Sequence, residues 1–181
     1  SLVNAGSALT LGSTANYTLG GTVSGAGSFT KAGTGTLTLD GNGTFSYSGL
    51  TTISLGTLLY GAADRLGDAN AVTVAGGTLD LGGYADTIGA FILSSGTVSN
   101  GTLTASSYDV RTGTASAVLA GAGVALTKTT GGTVTLSGAN TYTGTTTVSA
   151  GTLQLGAANV IADTSDLTVS GGTFNLGGFA D

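Results

Sequence analysis

The chain has 181 residues, nine acidic and four basic side chains, and a formal net charge of −5. It contains no His and no Cys, which excludes Ser–His and Cys–His catalytic arrangements, Cys-ligated metals and a disulfide framework. The four cations, Lys31, Arg65, Arg111 and Lys128, form no basic stripe, so we expect no nucleic-acid partner.

Short strands with alternating polarity follow one another along the chain. Thr36–Leu39 reads TLTL, Val72–Val74 reads VTV, and Thr78–Leu81 reads TLDL. In each of them the apolar side chains share one face and the polar ones the other, as in a half-buried strand. The most apolar stretch, Ala115–Leu126, is interrupted by Ser and Gly and is shorter than the roughly 18 residues needed to cross a bilayer. We therefore predict strands and no membrane span.

A Gly-Thr-apolar triplet recurs along the chain and gives a period. It begins at Gly35, Gly56, Gly77, Gly96, Gly132, Gly151 and Gly172, with a degenerate copy at Gly113. Gly35 and Gly172 are 137 residues apart in seven steps, a mean of about 20 residues. This period suits a β-solenoid with two or three short strands per turn.

The predicted fold is all-β, a right-handed parallel β-helix with about 20 residues per rung and about nine rungs. Strand spacing of about 4.8 Å gives a rod about 43 Å long. The alternative is an antiparallel β-sandwich or barrel, which also has short alternating strands. It predicts regularly spaced hairpin turns, but Asn-Gly occurs only at Asn42–Gly43 and Asn100–Gly101.

A longer repeat pairs residues 25–86 with residues 121–181. GGTLDLGGYAD at Gly76–Asp86 returns as GGTFNLGGFAD at Gly171–Asp181, 95 residues later. Upstream, Lys31 matches Lys128 at an offset of 97, so the first copy carries a two-residue insertion near Asn42–Ser46. We expect residues 1–181 to be a single β-helix segment of a longer protein.

The charged candidates for chemistry are few. Asp64, Arg65 and Asp68 form the densest group, and a carboxylate pair held about 5–9.5 Å apart is what a glycan-cleaving site requires. Their counterparts are Asn159, Val160 and Asp163, which favours a solvated turn. Asp80 stands in a sequence that resembles a calcium nonapeptide, but its counterpart is Asn175 and Leu79 replaces the required Gly. We therefore predict no catalytic residue, no cofactor-binding residue and no metal site.

The aromatic residues recur with Tyr/Phe exchange, as at Tyr84 and Phe179. This favours packing at corners of the rod over sugar or receptor stacking. The full set is Tyr17, Phe29, Phe45, Tyr47, Tyr60, Tyr84, Phe91, Tyr108, Tyr142, Phe174 and Phe179. Asn16, Asn42 and Asn100 begin glycosylation-type triplets, which arise by chance in an Asn/Thr-rich chain.

Residues 25–61 and 126–156 resemble the passenger-associated transport repeat of bacterial autotransporters. The shared pattern is a Lys, a Gly-Thr-Leu-Thr-Leu strand, a Gly-Asn-Thr-Tyr-Thr-Gly turn, a Thr-Thr-Val strand and a closing Gly-Thr-Leu-x-Leu-Gly. The second copy follows it at Lys128, Asn140–Gly144 and Gly151–Gly156, whereas the first departs at the turn. The resemblance implies a β-helical passenger that is carried across the outer membrane by a separate barrel and is displayed on the cell surface. Since the residues supply no catalytic set, we expect that the chain is not an enzyme.

Three functions remain open on the sequence. The first is a structural or adhesive surface segment that supports secretion, cell adhesion, autoaggregation or fibre formation. Its expected partners are a host or neighbouring-cell surface, the extracellular matrix, or further copies joined end to end or side by side. The second is a polysaccharide-active β-helical enzyme, and the third is a secretion and folding module whose function lies elsewhere in the protein.

Overall fold

The computed structural model describes residues 2–4 and 6–180, and every strand pairing in that part of the chain is parallel. The described residues form strands and turns and no helix. A parallel sheet without helical crossovers requires the chain to coil, and the pairing order is that of a β-solenoid. The predicted fold class is therefore confirmed, and the antiparallel alternative is wrong.

Each turn of the solenoid contributes a strand to a first ladder, which orders nine strands along the rod. These are β2 (Leu9–Leu11), β5 (Phe29–Lys31), β8 (Thr51–Ile53), β10 (Val72–Asp80), β12 (Ala90–Ser99), β14 (Ser107–Val110), β17 (Leu126–Lys128), β20 (Thr146–Val148) and β22 (Leu167–Val169). Leu9 and Leu167 begin the outermost strands, and the eight steps between them average about 20 residues. The predicted period is confirmed, with about eight full turns.

A second ladder lies next to the first along the chain. It contains β3 (Tyr17–Leu19), β6 (Thr36–Leu39), β9 (Thr57–Tyr60), the later halves of β10 and β12, β15 (Gly113–Ala115), β18 (Thr133–Leu136), β21 (Thr152–Leu155) and β23 (Thr173–Asn175). β10 and β12 serve both ladders because each continues through the corner, with register shifts between Val74 and Thr78. The Gly-Thr-apolar triplets open this second ladder.

The third side of the solenoid is formed by shorter strands in two sheets. One contains β1 (Leu2–Asn4), β4 (Val23–Gly25) and β7 (Phe45–Tyr47), and the other β11 (Ala85–Thr87), β13 (Thr102–Thr104), β16 (Val118–Gly121) and β19 (Thr141–Tyr142). Between them, residues 61–71 form turns instead of a strand. The candidate residues Asp64, Arg65 and Asp68 lie in this interruption.

The core is a column of stacked side chains, one layer per turn. Leu58, Leu79 and Val98 are fully buried and paired in register from coil to coil. A lone turn cannot bury its apolar face, so each layer is stabilised by the layers above and below. At the C-terminal end Leu167 and Val169 are exposed, although their register partners Thr146 and Val148 are fully buried.

Candidate functional site

The outer surface of the two long ladders is lined by threonine columns. In the second ladder Thr36, Thr57, Thr78, Thr97, Thr114 and Thr135 pair in register across six turns. In the first ladder Thr10, Thr30, Thr52 and Thr73 form one column, and Thr127, Thr147 and Thr168 form another. Each Thr presents a hydroxyl and a methyl, so these faces offer regularly spaced, uncharged hydrogen-bonding groups.

In the turn at residues 61–71, the charged side chains either bond to backbone carbonyls or are exposed. Arg65 donates from Nη1 to the carbonyl oxygens of Asp40 and Gly43, both at 2.9 Å, and from Nε to that of Ala63. These bonds tie the turn to the loop of the preceding coil. Asp64 and Asp68 are exposed.

Asp64 and its counterpart Asn159 have the same structural role. Both have a left-handed backbone, with φ of 52° and 53°. Their N–H groups donate at 3.1 Å to the carbonyls of Ala85 and Ala180, respectively, in the next coil. Asp and Asn tolerate this conformation better than other side chains, so the exchange between the copies has a backbone explanation.

Asp86 forms a buried acidic site that the sequence did not reveal. Its side chain is 2% exposed, and Oδ2 accepts a hydrogen bond from the Leu66 N–H at 3.2 Å. Desolvation is the main cause that raises the pKa of this carboxyl to about 6, and the Asp64 charge adds to the shift. The Tyr60 hydroxyl lies beside the carboxyl and lowers its pKa in part. Neither Tyr60 Oη nor Asp86 Oδ1 makes a hydrogen bond of good geometry.

A carboxyl with a raised pKa is a candidate general acid, but this one faces the interior of the rod. Tyr60 is 1% exposed, and burial together with the Asp86 charge raises its pKa well above the ordinary value. A glycan chain on the rod surface cannot reach either group. In the second copy Leu155 takes the place of Tyr60.

Asp80 and Asn175 each accept a hydrogen bond from the backbone two residues further on, which caps a turn. Asp80 Oδ1 accepts from the Gly82 N–H at 2.9 Å and from Asn100 Nδ2 at 3.1 Å. Asn175 Oδ1 accepts from the Gly177 N–H at the same 2.9 Å. Within residues 2–4 and 6–180, no three acidic side chains lie close enough to hold a metal ion together.

Most of the aromatic side chains are core residues. Phe29 and Tyr47 pack with ring centroids 5.6 Å apart, and Tyr108 lies 5.9 Å from Tyr142. The Tyr47 and Tyr142 hydroxyls bond to Thr51 and Thr146, at 2.5 and 2.8 Å, so the repeated Tyr-x-x-x-Thr is a buried pair. Tyr84 and Phe179 are the exceptions, with 41% and 42% of the residue exposed.

The three glycosylation-type asparagines are exposed, and the side chain of each makes a hydrogen bond within the protein. Asn16 Oδ1 accepts from the Thr36 N–H of the next coil at 2.7 Å, and Asn100 bonds to both carboxylate oxygens of Asp80. Asn42 donates to Asp40 at 3.1 Å. These bonds give each asparagine a structural role.

Lys31 and Lys128 are the second feature that sequence reasoning missed. They are two of the four cations of the sequence, and both are fully buried within the solenoid. The accessible cationic side chains of the described residues are therefore Arg65 and Arg111, and Arg111 pairs with Asp109 at 2.7 Å. The outer surface is poorer in positive charge than the sequence suggested.

Two segments, residues 29–59 and 126–155, match the family model of the passenger-associated-transport-repeat. The resemblance inferred from the sequence is thereby confirmed, and the chain contains two transport repeats, consistent with an autotransporter passenger domain. No curated protein and no solved structure matches the chain. Among the described residues no helix is long and apolar enough to span a membrane.

Each matched segment begins in the first ladder and ends in the second, one coil further on. Residues 29–59 run from β5 to β9, and residues 126–155 run from β17 to β21. A repeat therefore comprises one complete turn plus the two strands that stack on it. Passengers built of such repeats are surface-exposed, and the repeat itself is a structural element.

Proposed function

We propose that this chain is a structural and adhesive segment of a surface-displayed passenger of the autotransporter type. The observation that carries the proposal is the placement of both transport repeats within one continuous solenoid. During secretion and folding, each coil of the rod provides the surface on which the next coil stacks. The uncharged threonine columns provide a contact surface for a host cell, a neighbouring cell or the extracellular matrix.

The chemistry of the columns supports contact without a pocket. Threonine hydroxyls on adjacent coils are about 4.8 Å apart and offer repeated weak hydrogen bonds to a glycan or protein partner. Once one contact has formed, the other contacts on the same rod form at a high effective concentration. The overall affinity therefore exceeds that of any single weak contact. Self-association side by side uses the same surface and leads to autoaggregation or fibres.

A display experiment separates adhesion from secretion. The chain is fused to an autotransporter barrel with an epitope tag, and surface display and cell adhesion are measured on the same cells. Thr30→Lys combined with Thr73→Lys places two long charged side chains on alternate turns of the first threonine column. Thr104→Lys combined with Thr141→Lys does the same on the third side, where these residues also lie two coils apart, and is the matched control.

The proposal predicts unchanged display in both variants and reduced adhesion or aggregation in the first variant alone. Equal adhesion by both variants and the parent protein would remove the threonine column from the adhesive surface. Loss of display in parallel with adhesion would favour the secretion and folding module, because adhesion could then not be assigned to this segment.

The polysaccharide-active alternative is tested separately. With Arg65 bonded to backbone carbonyls and Asp86 inside the rod, we expect no cleavage of anionic glycans. New reducing ends or unsaturated products above a buffer control would restore the enzyme hypothesis.

A further inference from the structure

The two transport repeats each place a lysine in an apolar column of the core. Lys31 pairs in register with Leu11 in the coil before it and with Ile53 in the coil after it. Lys128 pairs with Val148 in the coil after it. Both lysines have no exposed surface. A buried ammonium needs hydrogen-bond partners, because water no longer solvates it.

Backbone carbonyls supply those partners, and they come from two coils. Lys31 Nζ donates to the Gly33 carbonyl in its own coil and, at 3.2 Å, to the Leu55 carbonyl in the next. Lys128 Nζ donates to the Thr130 carbonyl and, at 3.2 Å, to the Ala150 carbonyl. The amine therefore bridges one coil to the coil that follows it, in the same way in both repeats.

The corner of the following coil is shaped to receive the amine. Gly56 and Gly151 have left-handed backbones with φ of 66° and 67°. A Cβ at Gly56 would lie 2.8 Å from Lys31 Nζ and even closer to the carbonyl oxygens of Gly33 and Gly35. Left-handed corners also occur where no lysine precedes them, as at Gly96 with φ of 92°, so the feature that makes room for the amine is the missing Cβ.

Energy alone does not explain a lysine at this position. Burial lowers the pKa of both ammonium groups, because desolvation disfavours the charged form. Replacing a buried, bonded charge by an apolar side chain of similar size is often neutral or stabilising. Misplacing the charge is costly, because the amine then loses its carbonyl partners while remaining buried.

The neighbouring strands do not specify their pairing strongly. β5 and β8 read FTK and TTI, and β10 begins with VTV, so a slip of two residues keeps every side chain on its own face. Such a slip would carry Lys31 away from the Leu55 carbonyl. We propose that Lys31 and Lys128 fix the register in which the next coil docks on each transport repeat, and that they do so without adding net stability.

Cysteine pairs report the register directly, since the chain has no cysteine of its own. Thr30 and Thr52 are register partners, so Thr30→Cys with Thr52→Cys reports the native pairing. Thr30→Cys with Ser54→Cys reports a slip of two residues, because these positions are about 8 Å apart in the native register and a disulfide needs less than about 7 Å. Each pair is refolded under reducing conditions, oxidised briefly and quantified.

Lys31→Met is introduced into both pairs, and Ile53→Met is the apolar control in the same column. The proposal predicts that Lys31→Met raises the slipped cross-link by about tenfold, the factor for losing about 1.4 kcal/mol of preference. The urea midpoint stays equal or rises. Ile53→Met leaves the slipped cross-link unchanged.

An unchanged slipped cross-link in Lys31→Met would overturn the proposal, whether or not the urea midpoint falls. Lys128→Met gives an independent test with Thr127→Cys against Thr147→Cys or Ser149→Cys, and the same outcomes apply. Failure of both methionine variants to fold would also overturn it, because the lysines would then supply stability and not only register.

Discussion

Replacing Asp86 by Asn should stabilise the rod at neutral pH and do less at acidic pH. Asp86 is buried against Tyr60 and accepts one backbone hydrogen bond, from Leu66. An asparagine oxygen can accept the same bond without a charge. The substitution therefore isolates the cost of ionising this carboxyl inside the solenoid.

The size of the effect follows from the pKa of the carboxyl. It is raised from 3.8 to about 6 in the folded protein, chiefly by desolvation. At about 1.4 kcal/mol per pH unit, the shift corresponds to about 3 kcal/mol between the protonated and ionised forms. The folded protein binds this proton more tightly than the unfolded chain does. The proton therefore stabilises the parent protein fully below about pH 4, and this stabilisation is lost as the pH rises through about 6, which is where the advantage of asparagine develops.

The assay is urea unfolding of the parent protein and Asp86→Asn at half-unit steps from pH 4 to pH 8. We expect the free energy of unfolding of the variant relative to the parent to rise by up to about 3 kcal/mol across this range. Asp68→Asn, which removes one charge from an exposed turn, is the matched control for net charge. A difference between Asp86→Asn and the parent that is constant with pH would refute the burial of an ionised Asp86.

Two further substitutions test the stacking and the corners. Leu79→Ala truncates a fully buried side chain of the column and should lower the free energy of unfolding by about 2–5 kcal/mol. Leu167→Ala, at a residue that is 43% exposed, should lower it by less than about 1 kcal/mol. Equal losses measured by urea unfolding would contradict the stacked core. Gly151→Ala should cost more than about 2 kcal/mol, because φ is 67° and a Cβ would overlap the carbonyls of Thr130 and Gly132. Gly178 also has a positive φ, of 86°, but a Cβ there would meet open space. A loss for Gly178→Ala as large as that for Gly151→Ala would therefore show that the close approach is unimportant.

The fold could be predicted because its determinants are local and repeated. The alternation in Thr78–Leu81 assigns Leu79 to the interior, and the 20-residue period stacks it on Leu58 and Val98, as observed. Gly-Thr-apolar triplets mark the second ladder because the corner before it leaves little room for a side chain. The handedness of the coil remains a prediction.

The buried lysines could not be predicted from residue type, because Lys is almost never fully buried without partners. The alternation did contain a signal. In Phe29-Thr30-Lys31 the lysine shares a face with a core phenylalanine, and Leu126-Thr127-Lys128 repeats the pattern. One of the two carbonyl partners of each lysine lies on a coil more than 20 residues away, so the complete set of partners appears only in the structure.

The Asp86 site could not be predicted from the sequence for a different reason. Tyr60 and Asp86 are 26 residues apart and lie on successive coils, with the turn at residues 61–71 between them along the chain. The second copy has Leu155 in place of Tyr60, so the duplication, which pointed to so much else, carried no information here. Interactions that occur once in a repeat protein are the ones its periodicity cannot predict.

Distances along the first ladder test most directly whether both transport repeats lie in one continuous rod. Three doubly labelled samples carry one spin label at Thr30 and the other at Thr127, Thr147 or Thr168. The two labels are then five, six or seven coils apart, respectively. Pulsed electron paramagnetic resonance should give separations near 24, 29 and 34 Å, increasing by about 4.8 Å per coil. Separations that do not increase with coil number, or that are broadly distributed, would contradict a single stacked solenoid and the scaffold function proposed for it.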